Sequence, residues 1–161
     1  MTQFLTQDIA FLLDPSVWIR IAVSILCGAA IGFERESHSK PAGMRTTMLI
    51  SVGAAIYAMI GIEIGRRLEP HIDPTRIAAQ IVTGVGFIGA GVIIHVGATV
   101  KGLTTAAAIW VTAAVGTMIG LGYPLTAFVI TVCIILILVI LDRFERRFFP
   151  VMRADNASKD S

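Results

Sequence analysis

Charge is scarce in this 161-residue chain: 15 % of residues are Asp, Glu, Lys or Arg, against 55 % hydrophobic. So few polar groups could not cover a water-facing surface, which excludes an ordinary soluble domain and a disordered chain. Cysteine is equally sparse. Cys27 and Cys133 both fall in apolar runs, so they read as small hydrophobes rather than a disulfide or a metal pair. A basic N-terminal start is missing too: Asp8 and Asp14 precede the first basic residue, Arg20, which excludes a cleavable signal peptide. There is no convincing internal repeat, and nothing outside the apolar runs is long enough for a soluble domain.

What is present is a series of apolar stretches. A helix needs about 20 mostly apolar residues to cross the hydrocarbon core. Five stretches qualify: Val17–Phe33, Thr46–Gly65, Ile77–Val96, Leu103–Gly122 and Leu125–Leu141. They predict an all-α transmembrane fold, a five-helix polytopic bundle. Residues 1–16 precede it as an interfacial segment, residues 17–141 form the membrane domain, and residues 142–161 form a short basic tail. Five spans put the termini on opposite sides. Arg20, Arg66, Arg67 and Arg76 fall on one side, and the other nine Lys and Arg residues on the other. The more basic side faces the cytoplasm, so the N-terminus is expected outside and the C-terminus inside. Basic charge therefore marks topology, and no nucleic-acid partner is expected. The lipid bilayer is. Phe4, Leu5, Ile9, Leu12 and Leu13 have helical spacing and suit the outer interface, ending at Asp14-Pro15. Arg143, Phe144, Arg146, Arg147, Phe148 and Phe149 read as an anchor below the last span.

Fifteen glycines accompany these runs. Gly84 to Gly89 match G-x-G-x-x-G literally, but a dinucleotide site needs a preceding strand and a water-facing mouth, which an apolar span does not offer. Ala79, Thr83, Gly86 and Ala90 form a flat stripe on the third span, and Ala106, Ala113, Thr117 and Gly120 form one on the fourth. Gly28/Gly32, Gly61/Gly65 and Gly116/Gly120 are further GxxxG pairs. Small residues let backbones approach closely in lipid, so these are expected to pack helix on helix. The sharper alternative, a third span broken by glycine to expose carbonyls for an ion, is the weaker expectation. The fifth span holds a run without small residues, Ile134–Leu141, and belongs on the lipid-facing periphery.

Chemistry-bearing residues concentrate in the loop Glu34–Arg45. Ser39 is placed to cap the second helix and Pro41 to start it. Arg45 then lies in its first turns, near the positive dipole end, where Glu34 or Glu36 would offset its charge. Lys40 reads as a positive-inside anchor. Glu34, Glu36 and His38 form a solvated cluster rather than a metal site, although the residue types leave a metal ligand set open. Glu63 is the one acid inside a span and lies near its end, a poor inventory for carrying a divalent cation unaided. No nucleophile–base pair or phosphate loop is present. No enzyme, no cofactor and no catalytic residue are expected.

Three blocks in order carry a resemblance. They are Gly32-Phe33-Glu34-Arg35 with Lys40–Thr46, then Gly84–Gly91, then Val100–Ala107 with Trp110, Ala113, Ala114, Gly116, Gly120, Gly122 and Tyr123. Together they resemble the MgtC/SapB family of bacterial inner-membrane proteins. The resemblance implies a multi-pass plasma-membrane protein tied to growth at low magnesium and, in pathogens, to survival in macrophages. It singles out Glu34, Arg35, Lys40, Gly43, Arg45, Gly86, Gly89, Gly91, Lys101, Thr104, Thr105 and Trp110 as functional candidates. It implies the F-type ATP synthase or a magnesium transporter as membrane partner, and it leaves room for a homo-oligomer. Longer relatives carry a soluble C-terminal domain, for which the residues after the fifth span leave no room. The function expected is regulation of another membrane complex by helix contact. The alternatives are an oligomeric transporter of Mg2+ or another cation, and a lipid-organising protein.

Overall fold

A computed structural model describes residues 2–67, 75–96 and 99–148. His71, residues 149–161 (with Phe149, Arg153 and Lys159), and the side chains of Phe4, Leu5, Arg67 and Arg146 lie outside what it describes. The elements are α1 (Thr2–Leu13), α2 (Pro15–Ser37), α3 (Met44–Arg67), α4 (Thr75–Gly91), β1 (Ile94–Val96), β2 (Thr99–Lys101), α5 (Leu103–Gly120) and α6 (Pro124–Phe148).

The break between α1 and α2 falls at Asp14-Pro15, as the sequence suggests. Proline loses nothing at the first helical position, and the Asp14 carboxylate accepts from the Ser16 N–H at 2.9 Å. That bond to the amide holds the Asp14 carboxyl below its ordinary pKa. Trp18 ties the two helices by donating from Nε1 to the Leu12 carbonyl at 2.8 Å.

Four helices are long and apolar enough to cross a membrane: Pro15–Ser37, Met44–Arg66, Leu103–Gly120 and Pro124–Glu145. The expected third span is corrected. Its helix ends at Gly91 instead of running to Val96, and at 17 residues it is about 26 Å long. Val92 and Ile93 donate to the carbonyls three residues back, tightening the end. Ile94–Val96 and Thr99–Lys101 then pair as antiparallel strands, with Ile94 opposite Lys101 and Val96 opposite Thr99. The cause is chemical. Val92-Ile93-Ile94 is a β-branched run, and an apolar run without helical periodicity fits a strand as well as a helix. The chain leaves the hairpin at Gly102, whose φ of +89° and contact with the Val92 carbonyl exclude a Cβ.

The start of α3 is corrected as well. Ser39, expected as its cap, instead closes α2. Ser39 sits at φ 53°, its N–H donates to the Glu36 carbonyl, and the Lys40 N–H donates to the Arg35 carbonyl. These are the paired bonds of a left-handed helix C-terminus. Ala42 is also left-handed, at φ 61°, so no helix can begin at Pro41. The cap falls on Gly43, whose carbonyl accepts the first helical bond, from the Thr47 N–H.

Backbone contacts fix the packing. A Cβ at Gly28 would lie 2.8 Å from the Met48 Cα, and one at Gly32 would meet Met44, so α2 and α3 run antiparallel in close contact. Gly116 meets Ser51 and Gly120 meets Ala55, so α3 and α5 run parallel. Gly61 meets Ile77 where α3 and α4 converge. Helix α5 is the centre, touching α2, α3, α4 and α6. Its expected small stripe does pack: Ala113 and Gly120 are buried, and Ala106 lies against Gly89. Two clusters make the core, Cys27, Val115, Ile119 and Ala127 on one side of α5 and Ala54, Val85, Ile109 and Ala113 on the other. Helix α6 is peripheral as expected, with Phe128, Leu136, Ile137, Ile140 and Leu141 exposed. Both cysteines are free thiols, Cys27 buried and Cys133 exposed.

The expected packing of the third-span stripe does not occur among the described residues. Ala79, Thr83, Gly86 and Ala90 are all exposed. Helix α4 meets α5 through Val85 and Gly89 instead, and a Cβ at Gly84, Gly86 or Gly91 would find nothing within 4 Å. The stripe is centred roughly 130° around the helix from Val85, so the two faces turn toward different neighbours.

Candidate functional site at the charged end

These contacts gather the C-termini of α2 and α4, the N-termini of α3 and α5 and the hairpin at one end of the bundle. The register can be worked out. Arg20 of α2 donates from Nη1 to the Gly120 carbonyl of α5 at 2.9 Å. Since both helices rise about 1.5 Å per residue, antiparallel packing carries Arg35 to the level of Thr105.

Glu34 and Arg35 are the centre of this end. Both are buried, at 5 % and 3 % exposure. Neighbours in a helix point about 100° apart, yet the long arginine stem folds back. Nε and Nη2 of Arg35 donate to the two oxygens of Glu34 at 2.8 and 3.4 Å. The Nη1 of Arg35 has no partner among the described residues. His38, one turn on, donates from Nδ1 to the Glu34 carbonyl at 2.9 Å and lies 3.3 Å from the carboxylate. A carbonyl only accepts, so this bond places a proton on Nδ1. The other ring nitrogen is 4.0 Å from Asp142, which places this part of α6 at the same end. Glu36 turns the other way: its carboxylate accepts from the Met44 N–H at 3.1 Å, which satisfies an orphan donor at the start of α3.

The expected partnership of Arg45 is not formed. Arg45 is exposed, while Glu34 holds Arg35 and Glu36 caps Met44. Its place in the first turn of α3 is as expected, but the carboxylates have nearer donors. Lys40 is half-buried and held through its backbone. Gly43 lies against the Glu36 carboxylate, which a Cβ would approach to 2.8 Å. At the hairpin, Lys101 is half-buried in β2, Thr104 is exposed and Thr105 is buried at 3 % exposure. Glu34, Arg35, Lys40, Gly43, Arg45, Gly91, Lys101, Thr104 and Thr105 thus share one end. Gly86, Gly89 and Trp110 do not. Gly89 packs α4 on α5, Gly86 faces outward, and Trp110 is half-exposed beside a cavity of about 170 Å³ between α4 and α5.

Three contributors escape a reading of the sequence. Asp142 looks like the first acid after an apolar run, Arg20 like a topology charge, and Ser51 like a passenger in α3. Arg20 in fact serves the C-terminal carbonyls of α5, where a cation opposes the negative dipole end. Ser51 is buried with its hydroxyl unpartnered among the described residues, level with Gly116. Among the described residues no group of three His, Cys, Asp or Glu side chains could hold a metal.

The chain is 45 % identical over 115 residues to Protein MgtC of Brucella abortus, covering 71 % of this chain and 47 % of that protein. It is 49 % identical over 106 residues to YhiD of Escherichia coli K12, described as a proposed magnesium transporter, covering 63 % and 49 %. It is 38 % identical over 141 residues to Protein MgtC of Salmonella paratyphi A, covering 88 % and 59 %. The chain thus spans about half the length of the curated relatives it matches. No solved structure matches it. Residues 21–147 match the MgtC family, and they take in both the charged end and the glycine contacts; the chain is a membrane protein of that family.

Proposed function

We propose that this chain is a non-enzymatic regulator in the bacterial inner membrane, serving adaptation to low magnesium through helix contact with another membrane complex. The observation that carries this is the outward face of α4. Ala79, Thr83, Gly86 and Ala90 are small and exposed, and among the described residues nothing lies within 4 Å of a Cβ placed at Gly86. In lipid such a face is of use only to another helix. Helix α4 is also a few ångströms shorter than the hydrocarbon core, a mismatch that association relieves. In this reading α4 is the third of five spans, the N-terminus lies outside and the charged end faces the cytoplasm. The interior supports regulation over transport. Gly116 and Gly120 bring α5 against the α3 backbone, and Ile119 fills the space beside them. The F-type ATP synthase and a magnesium transporter are the partners suggested by the family.

Two measurements test this. Proteoliposomes of the pure protein with an internal Mg2+ indicator should show no flux above empty vesicles. In cells, Gly86→Leu should abolish support of growth at low magnesium while the protein stays folded in the membrane. Flux at transporter-like rates would overturn the proposal. It would favour the second reading, an oligomeric Mg2+ or other cation transporter, which the name of the Escherichia coli relative supports.

A further inference from the structure

Helices α3 and α4 both lean on α5 and meet where Gly61 packs on Ile77, with Ala54 and Val85 joined in one core cluster further along. Below this point they leave a groove of about 600 Å³, within the usual range for a bound small molecule. One wall is Leu49, Gly53 and Tyr57 of α3, and the other is Gln80, Gly84 and Ile88 of α4.

The distribution of chemistry along the groove is uneven. The antiparallel register set by Gly61 and Ile77 puts Tyr57 level with residue 81, beside Gln80. The two polar side chains of the lining therefore share one end. From Tyr57 to Leu49, and from Gln80 to Ile88, the walls run about 12 Å with only apolar residues and glycine. Midway, a Cβ at Gly53 or Gly84 would find nothing within 4 Å, so both glycines widen the groove rather than join helices. Beyond the polar end, Arg76 is exposed on α4, four residues before Gln80 and hence on the same face, one turn or about 6 Å away. The sequence runs from cation to neutral donors to an apolar slot.

We propose that this groove binds one molecule of an anionic phospholipid. The phosphate pairs with Arg76, the ester carbonyls accept from the Gln80 amide and the Tyr57 hydroxyl, and an acyl chain lies between Gly53 and Gly84. The order of the three tiers is that of a lipid standing in a leaflet: charge outermost, esters a turn deeper, hydrocarbon below. A helix from a second copy would fill the slot but would leave the amide and hydroxyl without acceptors. The proposal is independent of the regulatory reading, which rests on the opposite face of α4.

The test is native mass spectrometry of the full chain released from nanodiscs of mixed phosphatidylglycerol and phosphatidylethanolamine. Wild type should retain one phosphatidylglycerol per chain. Gly84→Leu, which fills the groove where there is open space, should lose it. Arg76→Gln should keep an acyl chain but lower the preference for phosphatidylglycerol about fivefold, the effect of one cation at a charged headgroup. Gly86→Leu, on the other face, should retain the lipid. Equal retention by wild type and Gly84→Leu would overturn the proposal. So would a wild-type dimer without lipid that Gly84→Leu converts to monomer, which would assign the groove to a second copy.

Discussion

Replacing Gly116 with alanine is expected to damage the bundle, and replacing Gly86 with alanine to strengthen it, although both glycines sit inside apolar helices. At Gly116 a Cβ would press on the Ser51 carbonyl oxygen, with the Ser51 carbonyl carbon and Cα each 2.9 Å away. Ordinary contact begins near 3.4 Å, and the obstacle is helix backbone that cannot rotate aside. Helices α3 and α5 must therefore part by several tenths of an ångström along their tightest seam. Overpacking of this kind costs about 1–3 kcal/mol. Alanine returns about 1 kcal/mol of helix propensity, which leaves a net loss of about 0–2 kcal/mol. At Gly86 nothing lies within 4 Å of the added methyl, so only the propensity gain remains. The propensity gain is common to both variants, so they should differ by the overpacking cost, about 1–3 kcal/mol. Unfolding in mixed micelles, followed by far-UV circular dichroism as the fraction of dodecyl sulfate rises, reads this difference. Equal midpoints, or a weaker Gly86→Ala, would refute the assignment of Gly116 to a seam and Gly86 to an open face.

Glu34→Gln leaves the buried Arg35 guanidinium without its counter-charge and should cost about 3–5 kcal/mol, while the double change Glu34→Leu, Arg35→Leu should recover most of that loss; the folded fraction after detergent extraction measures both. Arg20→Leu should lower stability by about 1.5–3 kcal/mol, the worth of a charged hydrogen bond, and raise amide exchange around Leu121–Tyr123 first. The Asp14 carboxyl is held below its ordinary value, so its contribution to the α1–α2 junction is complete above that value. It is lost as the pH falls through the lowered one. Fluorescence of Trp18, which is bonded across that junction, should follow the acid transition, and Asp14→Asn should remove it.

Long apolar runs and small-residue spacing made most of the bundle legible, since a bilayer leaves few alternatives to a helix. Gly28/Gly32 and Gly116/Gly120 met their neighbours as the spacing implied. The end of α4 was not legible, because the apolar run Val92-Ile93-Ile94 suits helix or strand and only the pairing of Ile94–Val96 with Thr99–Lys101 makes a strand there. The loop Glu34–Arg45 held the right residues with the wrong partners in view. Ser39 and Glu36 each have a local backbone alternative, a helix end and an amide respectively, and those nearby bonds displaced the longer-range ones expected of them. Asp142 was illegible at the site because its meeting with His38 depends on how α6 returns along α2.

The bond between Arg20 and the Gly120 carbonyl spans 100 residues of sequence. If the chain enters the membrane as it is made, at roughly 5–20 residues per second, Arg20 waits about 5–20 s before its acceptor exists. During that interval the first long span holds a cation that only the interface can accommodate, so it must ride high in the bilayer. Arrival of Gly120 then gives Arg20 its acceptor, so on this order α2 reaches its final depth only once α5 has been made.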